Sequence, residues 1–321
     1  GRDKEYQNGA PQIPMFCDHN GCSLRPFLHT LERTRSIKTN FRWVTEINTE
    51  QRRYVELFPT GWEYRMFSFE LNLPGEALDI SIPGFRMTTH LFGVDKGGIH
   101  IFGTDHAGKD IFSRTLHAIY TSLAVGTIGV LIAFVLALVI GGVSGYYGGW
   151  LDTVLMMVVD LMLAFPSLIL GVAVAGILGP SLINVMIAVS VVWWASHARV
   201  IRGMVLSARN KEYVEGARAI GASDGRIVVY HISRNIVGPL VVLVTLDMGW
   251  IILGIAGLSF LGLGAQPPTP EWGAMLNDSR SYMQTSPILL LAPGSAIFLL
   301  VLGFNLMGDG IRDILDPTTY R

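Results

Sequence analysis

Between residues 116 and 206 the chain carries only four formally charged side chains, Asp152, Asp160, Arg199 and Arg202. A bilayer core takes about 20 apolar residues per helix. Five segments reach that length: 117–144, 153–178, 181–205, 236–263 and 286–307. Asp160 and Pro166 interrupt the second, and Asp247 the fourth. The pattern predicts an all-α polytopic membrane protein with no catalytic domain of ordinary size outside its spans. The mean hydropathy of +0.43 hides a split: residues 1–115 hold 14 of the 24 Lys+Arg and 14 of the 25 Asp+Glu. A net charge of −1 gives no basic face for nucleic acid.

Lys and Arg set the orientation. The loop between the third and fourth spans carries Arg199, Arg202, Arg209, Lys211, Arg218, Arg226 and Arg234, whereas the loop 264–285 carries only Arg280. The basic loop is therefore placed in the cytoplasm. Five spans then put the C-terminus inside and residues 1–115 outside. Exporting that segment requires a signal, and residues after Gly1 contain no apolar h-region. A first membrane helix preceding Gly1 is the expectation, with a cleaved signal peptide as the alternative.

Residues 1–40 read as irregular. Aromatic and β-branched residues then alternate with polar ones at Phe41–Val44, Tyr54–Phe58, Tyr64–Phe69 and Ile99–Phe102, with Gly and Pro between the runs. This predicts a small, mostly β extracytoplasmic domain over 1–102. Cys17 and Cys22 are the only cysteines. Outside the cytoplasm a disulfide closing this C-x4-C loop is the first reading. Two free thiols are the second. Zinc is third, because four ligands at finger spacing are missing. No metal site is predicted.

The run from Gly103 to Asp110 nearly matches a phosphate-binding loop, but Asp110 stands where the Mg²⁺-binding Ser or Thr belongs. It is read instead as a helix start, with Thr104 or Asp105 as the cap. Gly141, Gly145 and Gly149, four residues apart, mark close helix approach. Asp160 and Asp247 are costly in a bilayer. They either line a pathway and pair with Arg or His across the bundle, or hydrogen-bond as buried carboxylates to a neighbouring helix. Pro166 belongs to the same candidate pathway. Trp193 and Trp194 fit an aromatic belt, a packing pair or part of a gate. His197 reads as structural. No nucleophile elbow, H-E-x-x-H or dinucleotide fingerprint occurs.

The central loop, 206–235, is the most informative stretch. Glu212, Glu215, Arg218, Asp224 and Arg226 supply charge; Val214, Ala217, Ala219, Ile220 and Ile227 supply a small apolar face; Gly216, Gly221 and Gly225 punctuate them. Tyr213 and Ala222 complete the set. A charged helix over 212–227 held between membrane spans is suited to gripping a second protein, and a solvated surface helix is the plainer reading.

Glu215-Gly216-Ala217-x-x-x-Gly221 resembles the EAA-x-x-x-G signature of permease subunits in binding-protein-dependent ABC importers. Further blocks narrow the resemblance to the C-type subunit of the dipeptide/oligopeptide permease family. They are Gly103-Thr104-Asp105-x-x-Gly108-Lys109-Asp110, Gly145-Tyr146-Tyr147-Gly148-Gly149, Gln266-Pro267-Pro268-Thr269-Pro270-Glu271-Trp272-Gly273 and Phe304 to Asp313. The similarity runs over 103–317, leaving 318–321 as a tail. There are departures. Gly216 stands where a second Ala is usual, Lys109 replaces Arg, and Ser233-Arg234 stands where Leu-Pro is usual, so a different turn is expected before the fourth span.

The resemblance implies a type I ABC importer transmembrane domain of six helices in the bacterial inner membrane. Implied partners are a homologous B-type permease, two ATP-binding subunits, an extracytoplasmic solute-binding protein and membrane lipid. The chain itself binds no cofactor and catalyses nothing, ATP and Mg²⁺ belonging to the ATPases. The 212–227 helix couples to an ATPase. Short peptides are the implied cargo, with an oligosaccharide or opine-like compound as the alternative. Two other classes stand beside this: an ion-coupled secondary transporter using Asp160 and Asp247, and a membrane-anchored scaffold or receptor acting through 1–102.

Overall fold

The computed structural model describes residues 14–19, 21–35, 43–72, 79–89, 92–93, 100–105, 107–284 and 286–315. Two compact units form, one from Gly1–Thr121 with Pro270–Ala296, the other from Ser122–Thr269 with Ile297–Arg321.

The first unit begins with strands. β1 (Met15–Asp18), β2 (Gly21–Arg35) and β3 (Trp43–Tyr54) form an antiparallel sheet in that order. β4 (Glu56–Leu57) pairs β7 (Phe92–Gly93), and β5 (Thr60–Asn72) pairs β6 (Asp79–Thr89), both antiparallel. Three of the four predicted strand runs lie at least partly in these elements, with Phe41 and Arg42 outside the described residues. The fourth is corrected: His100–Phe102 turn, Gly103 N–H closing back on the His100 carbonyl at 2.9 Å. Gly103 takes a positive φ of 77°, which a continuing strand does not allow.

Cys17 faces Cys22 across the β1–β2 hairpin, and the two are joined in a disulfide. Arg52 on β3 braces the turn: its Nε donates to Asp18 Oδ2 at 2.9 Å and its Nη2 to the Gly21 carbonyl at 3.0 Å. The guanidinium also lies 4.7 Å from the centre of the Phe27 ring. Its hydrogen bond with Asp18 raises Arg52 above the ordinary arginine value.

The loop 103–110 closes on itself, and here the expected cap moves. Asp105 Oδ1 accepts from Ala107 and Lys109 N–H, both at 2.8 Å, and its Oδ2 meets Arg114. Asp110, not Thr104 or Asp105, caps α1 (Ile111–Tyr147), its Oδ2 accepting the Ser113 N–H at 2.7 Å. Both Asp105 oxygens are taken, by the loop amides and by the Arg114 side chain, so the carboxylate does not cap the first N–H groups of α1. α8 (Trp272–Ser279) starts on the buried Glu271, whose two oxygens accept the Gly273 and Ala274 N–H groups at 2.9 Å. Trp272 Nε1 donates to the Thr115 carbonyl at 3.0 Å.

The second unit is helical. α2 (Gly149–Leu163) and α3 (Ser167–Leu178) together make up the second predicted span, but they are bent by 88°. Pro166 has an extended ψ of 124° and no N–H to continue the ladder, so the predicted span 153–178 breaks at the proline expected to interrupt it. α4 (Leu182–Arg209) follows. α5 (Glu212–Ala219) and α6 (Asp224–Arg226) occupy the loop, and a π-helical turn, Ile227–Ile232, leads into α7 (Ser233–Phe260). The different turn expected at Ser233-Arg234 is therefore a continuous helix with a π segment. α9 (Ile288–Leu315) ends the described chain, leaving the tail 318–321 outside it. Among the described residues four helices are long and apolar enough to cross a membrane, five if α2 and α3 count as one span.

α4 is the central strut, with 61% of its most apolar stretch buried, more than any other candidate span. The small residues of α1 let it approach α4 closely. A Cβ on Gly141 would lie 2.3 Å from the Ala198 carbonyl oxygen, and one on Gly145 2.7 Å from that of Arg202. Gly149 departs from the expected packing role. Nothing lies within 4 Å of its Cβ position, and Gly148 and Gly149 take φ of 68° and 62° to make the α1–α2 turn.

Candidate functional site

The loop between α4 and α7 presents the site the sequence singled out. α5 carries Glu212 and Glu215 in its first turn and Arg218 in its last, each matched to the helix dipole. Val214 and Ala217 are buried against the rest of the unit. Glu212, Glu215, Gly216, Arg218 and Ala219 are exposed, and Ile220 is 85% exposed. The predicted apolar face is thus divided: Val214, Ala217 and Ile227 pack inward, while Ala219 and Ile220 face outward. The Tyr213 hydroxyl is buried with no hydrogen-bond partner among the described residues.

The expected single helix over 212–227 is two helices. Gly221 N–H donates to the Arg218 carbonyl at 2.9 Å and Ala222 N–H to the Ala217 carbonyl at 3.0 Å. With Gly221 at φ 83° these bonds form a Schellman ending. The glycine of the motif is needed for this left-handed position. Asp224 and Arg226 then belong to α6 and are exposed.

Several bonds fix this segment to the spans. The Tyr146 hydroxyl donates to Asp224 Oδ1 at 2.5 Å, and the Arg218 guanidinium lies 5.7 Å from the Tyr146 ring centre. Hydrogen bonding with Tyr146, then the charges of Asp224 and Glu215, raises Arg218 above its ordinary value. Arg209 Nη1 donates to the Tyr146 carbonyl at 2.7 Å. Sequence reasoning gave Tyr146 no role. The signal was available in Gly145-Tyr146-Tyr147-Gly148-Gly149, an aromatic pair in an otherwise flexible turn.

The candidate pathway residues do not form one cluster. Asp160 and Asp247 each take a partner from α4 instead of meeting each other: Arg199 pairs with Asp160, and His197 Nε2 meets Asp247 Oδ2. Arg202 forks onto Asp152, Nε to Oδ1 and Nη2 to Oδ2, both at 2.6 Å. An open cleft of about 350 Å³ is lined by Asp152, Thr153, Met156, Met157, Asp160 and Arg202. Trp194 is buried, and the Trp193 ring covers Gly254, 3.2 Å from where a Cβ would stand. Pro166 is exposed at the α2–α3 bend. Among the described residues no group of three or more His, Cys, Asp or Glu is placed to hold a metal.

A bundle of long apolar helices with a charged segment between two of them defines the class of multi-pass membrane proteins. Comparison with known proteins specifies it. Residues 129–320 match the family model described as binding-protein-dependent transport system inner membrane component. The dipeptide transport system permease protein DppC of Alkalihalophilus pseudofirmus is 47% identical over 228 residues, 71% of this chain and 72% of that protein. The glutathione transport system permease protein GsiD of Pectobacterium atrosepticum is 45% identical over 230 residues, 72% of this chain and 73% of that protein. Among solved structures, an inward-facing form of the MetNI methionine ABC transporter is similar at TM-score 0.52 and 18% identity, covering 64% of this chain and 98% of that one. The chain belongs to the family of inner membrane components of binding-protein-dependent transport systems. It is a non-catalytic, multi-pass inner membrane permease subunit that binds no cofactor, and membership implies ATPase and binding-protein partners.

Proposed function

We propose that this chain is the C-type half of a six-helix-per-subunit importer that moves short peptides inward by alternating access. It pairs with a B-type permease, two ATPases and an extracytoplasmic solute-binding protein. Residues 103–317 form the permease domain. Residues 1–102 lie outside the cell membrane as an accessory domain; the loop 206–235 and the C-terminus lie in the cytoplasm. Peptide cargo follows from the dipeptide and glutathione permeases it is similar to.

The observation that carries the coupling role is the division of α5. Val214 and Ala217 anchor it inward, while Glu215, Gly216, Ala219 and Ile220 remain free for an ATPase groove. An exposed Ile220 fits a protein contact better than a purely solvated helix. An ATPase that holds this surface with different energy in its open and closed states shifts the permease between its two conformations. Asp160, Pro166, Trp193, Trp194 and Asp247 are assigned to the translocation pathway.

Replacing Glu215 with Arg is expected to abolish ATP-driven uptake while leaving membrane insertion intact. Normal uptake in that variant refutes the coupling assignment. Tagged chain should bring down two ATPases and a sister permease, an outcome neither a secondary transporter nor a scaffold gives. Offering the reconstituted complex, with its binding protein, a peptide pool against an oligosaccharide pool decides the cargo. Depletion of sugars alone refutes the peptide assignment and leaves the importer mechanism standing.

A further inference from the structure

Tyr146 is only 4% exposed, yet it stands at the last turn of a membrane span, where a helix end usually frays. Its contacts account for its burial. Its hydroxyl donates to Asp224 on α6, its ring lies beneath Arg218 on α5, and its carbonyl accepts from Arg209 at the end of α4. One residue of α1 therefore touches three other elements, and it holds the docking segment on both sides of the Gly221 turn. The glycines around it make this possible. A side chain on Gly145 would meet the Arg202 carbonyl, and one on Gly148 would stand 3.1 Å from Arg209 Nη1.

The covalent route from the docking segment into the membrane runs backward into α4 and forward through the π turn into α7. Neither route reaches α1. We propose that Tyr146 is a positioning residue that straps the inner end of α1 to α5 and α6, so that displacement of the docking segment moves α1 with it. The hydrogen bond to Asp224 is the directional part of the strap; the Arg218 contact over the ring is the second. Ser144, two residues earlier, donates to Asp152, which also receives Arg202, so the same end of α1 is joined to α2 and α4. The strap rests on the coupling role proposed above.

The test uses the complex purified with its ATPase subunits and placed in lipid nanodiscs. Backbone hydrogen exchange is compared between nucleotide-free and vanadate-trapped states, reading peptides over 140–148 and 212–222. This readout needs no knowledge of the cargo. In the unaltered complex both peptides are expected to change on trapping. In Tyr146→Phe the 212–222 response persists while the 140–148 response falls by at least half. Asp224→Ala, an exposed position whose loss does not disturb α1 packing, reproduces that split. Asp224→Asn, which retains an acceptor oxygen, restores the 140–148 response. A full 140–148 response in both Tyr146→Phe and Asp224→Ala overturns the strap, as does a wild-type complex in which only 212–222 responds. Failure of the underlying coupling role looks different: the 212–222 response is then absent from the wild-type complex, or survives Glu215→Arg.

Discussion

Two glycines of the α5 segment should respond to alanine in opposite ways. At Gly221 the obstacle is conformational alone: φ is 83° and no atom lies within 4 Å of its Cβ position. A non-glycine residue in the left-handed region costs about 1–2 kcal/mol. Gly216, five residues earlier, is also open around its Cβ position but lies inside α5. Alanine there should stabilise the helix by up to about 1 kcal/mol. Such energies change a local opening equilibrium by roughly 5- to 30-fold. Hydrogen exchange of the Gly221 and Ala222 amides, which close the Schellman ending, reads that equilibrium directly. Gly221→Ala should exchange these amides faster and Gly216→Ala slower than wild type, both in the purified permease without nucleotide. Equal exchange in all three proteins, or faster exchange in both variants, refutes the assignment of Gly221 to the left-handed cap.

Gly141→Ala forces a methyl to 2.3 Å from the Ala198 carbonyl, so α1 and α4 must part; a loss of about 1–3 kcal/mol should appear as a lower heat-aggregation midpoint of detergent-solubilised protein. His197→Leu leaves Asp247 without its α4 partner, costing about 1–3 kcal/mol; in the same assay the double variant with Asp247→Leu should recover part of that loss. Cys17→Ser or Cys22→Ser removes the cross-link of the β1–β2 hairpin, worth about 2 kcal/mol for so short a loop. Greater protease susceptibility of the first unit checks it, and a mapped peptide digest whose mobility is unchanged by reductant would remove the disulfide.

The spans were legible because bilayer crossing demands long runs without charge, a property of composition that survives any detail of packing. The charged segment between α4 and α7 was legible because Glu212, Glu215, Arg218 and Arg226 stand out between such runs. The break at Gly221 was harder to see, since a glycine in a charged helix and a glycine ending one have the same local sequence. Only the carbonyls left over at Ala217 and Arg218 distinguish them. The cap of α1 was misplaced for a related reason: Asp105 and Asp110 are both competent caps, and tertiary bonding to Arg114 and the loop amides decides between them. The 88° bend was half legible. Pro166 announces that a ladder bond is missing, but the direction taken after the break depends on what α3 packs against. The partners of Asp160 and Asp247 were open in sequence because pairing depends on how each helix is rotated about its axis.

That rotation explains why α4 carries the cations. Successive residues of a helix turn by about 100°. His197 and Arg199 are thus about 160° apart around the axis and point to opposite sides, whereas Arg199, Arg202 and Arg209 fall within about 80° of one another. The bonds follow this division: His197 meets α7 through Asp247, and the three arginines meet α2 and α1 through Asp160, Asp152 and the Tyr146 carbonyl. In a low-dielectric surrounding an unpaired charge is far costlier than a paired one, so each pair selects one register between α4 and its neighbour. Between Arg199 and Arg209 the helix rises about 15 Å, and no level of that face slides without breaking a charged bond. Any displacement of α4 along that face therefore moves it as a body. Since α5 follows α4 after only Asn210 and Lys211, α5 and the strut share their displacement, and the proposed Tyr146 strap would add α1 to the moving set.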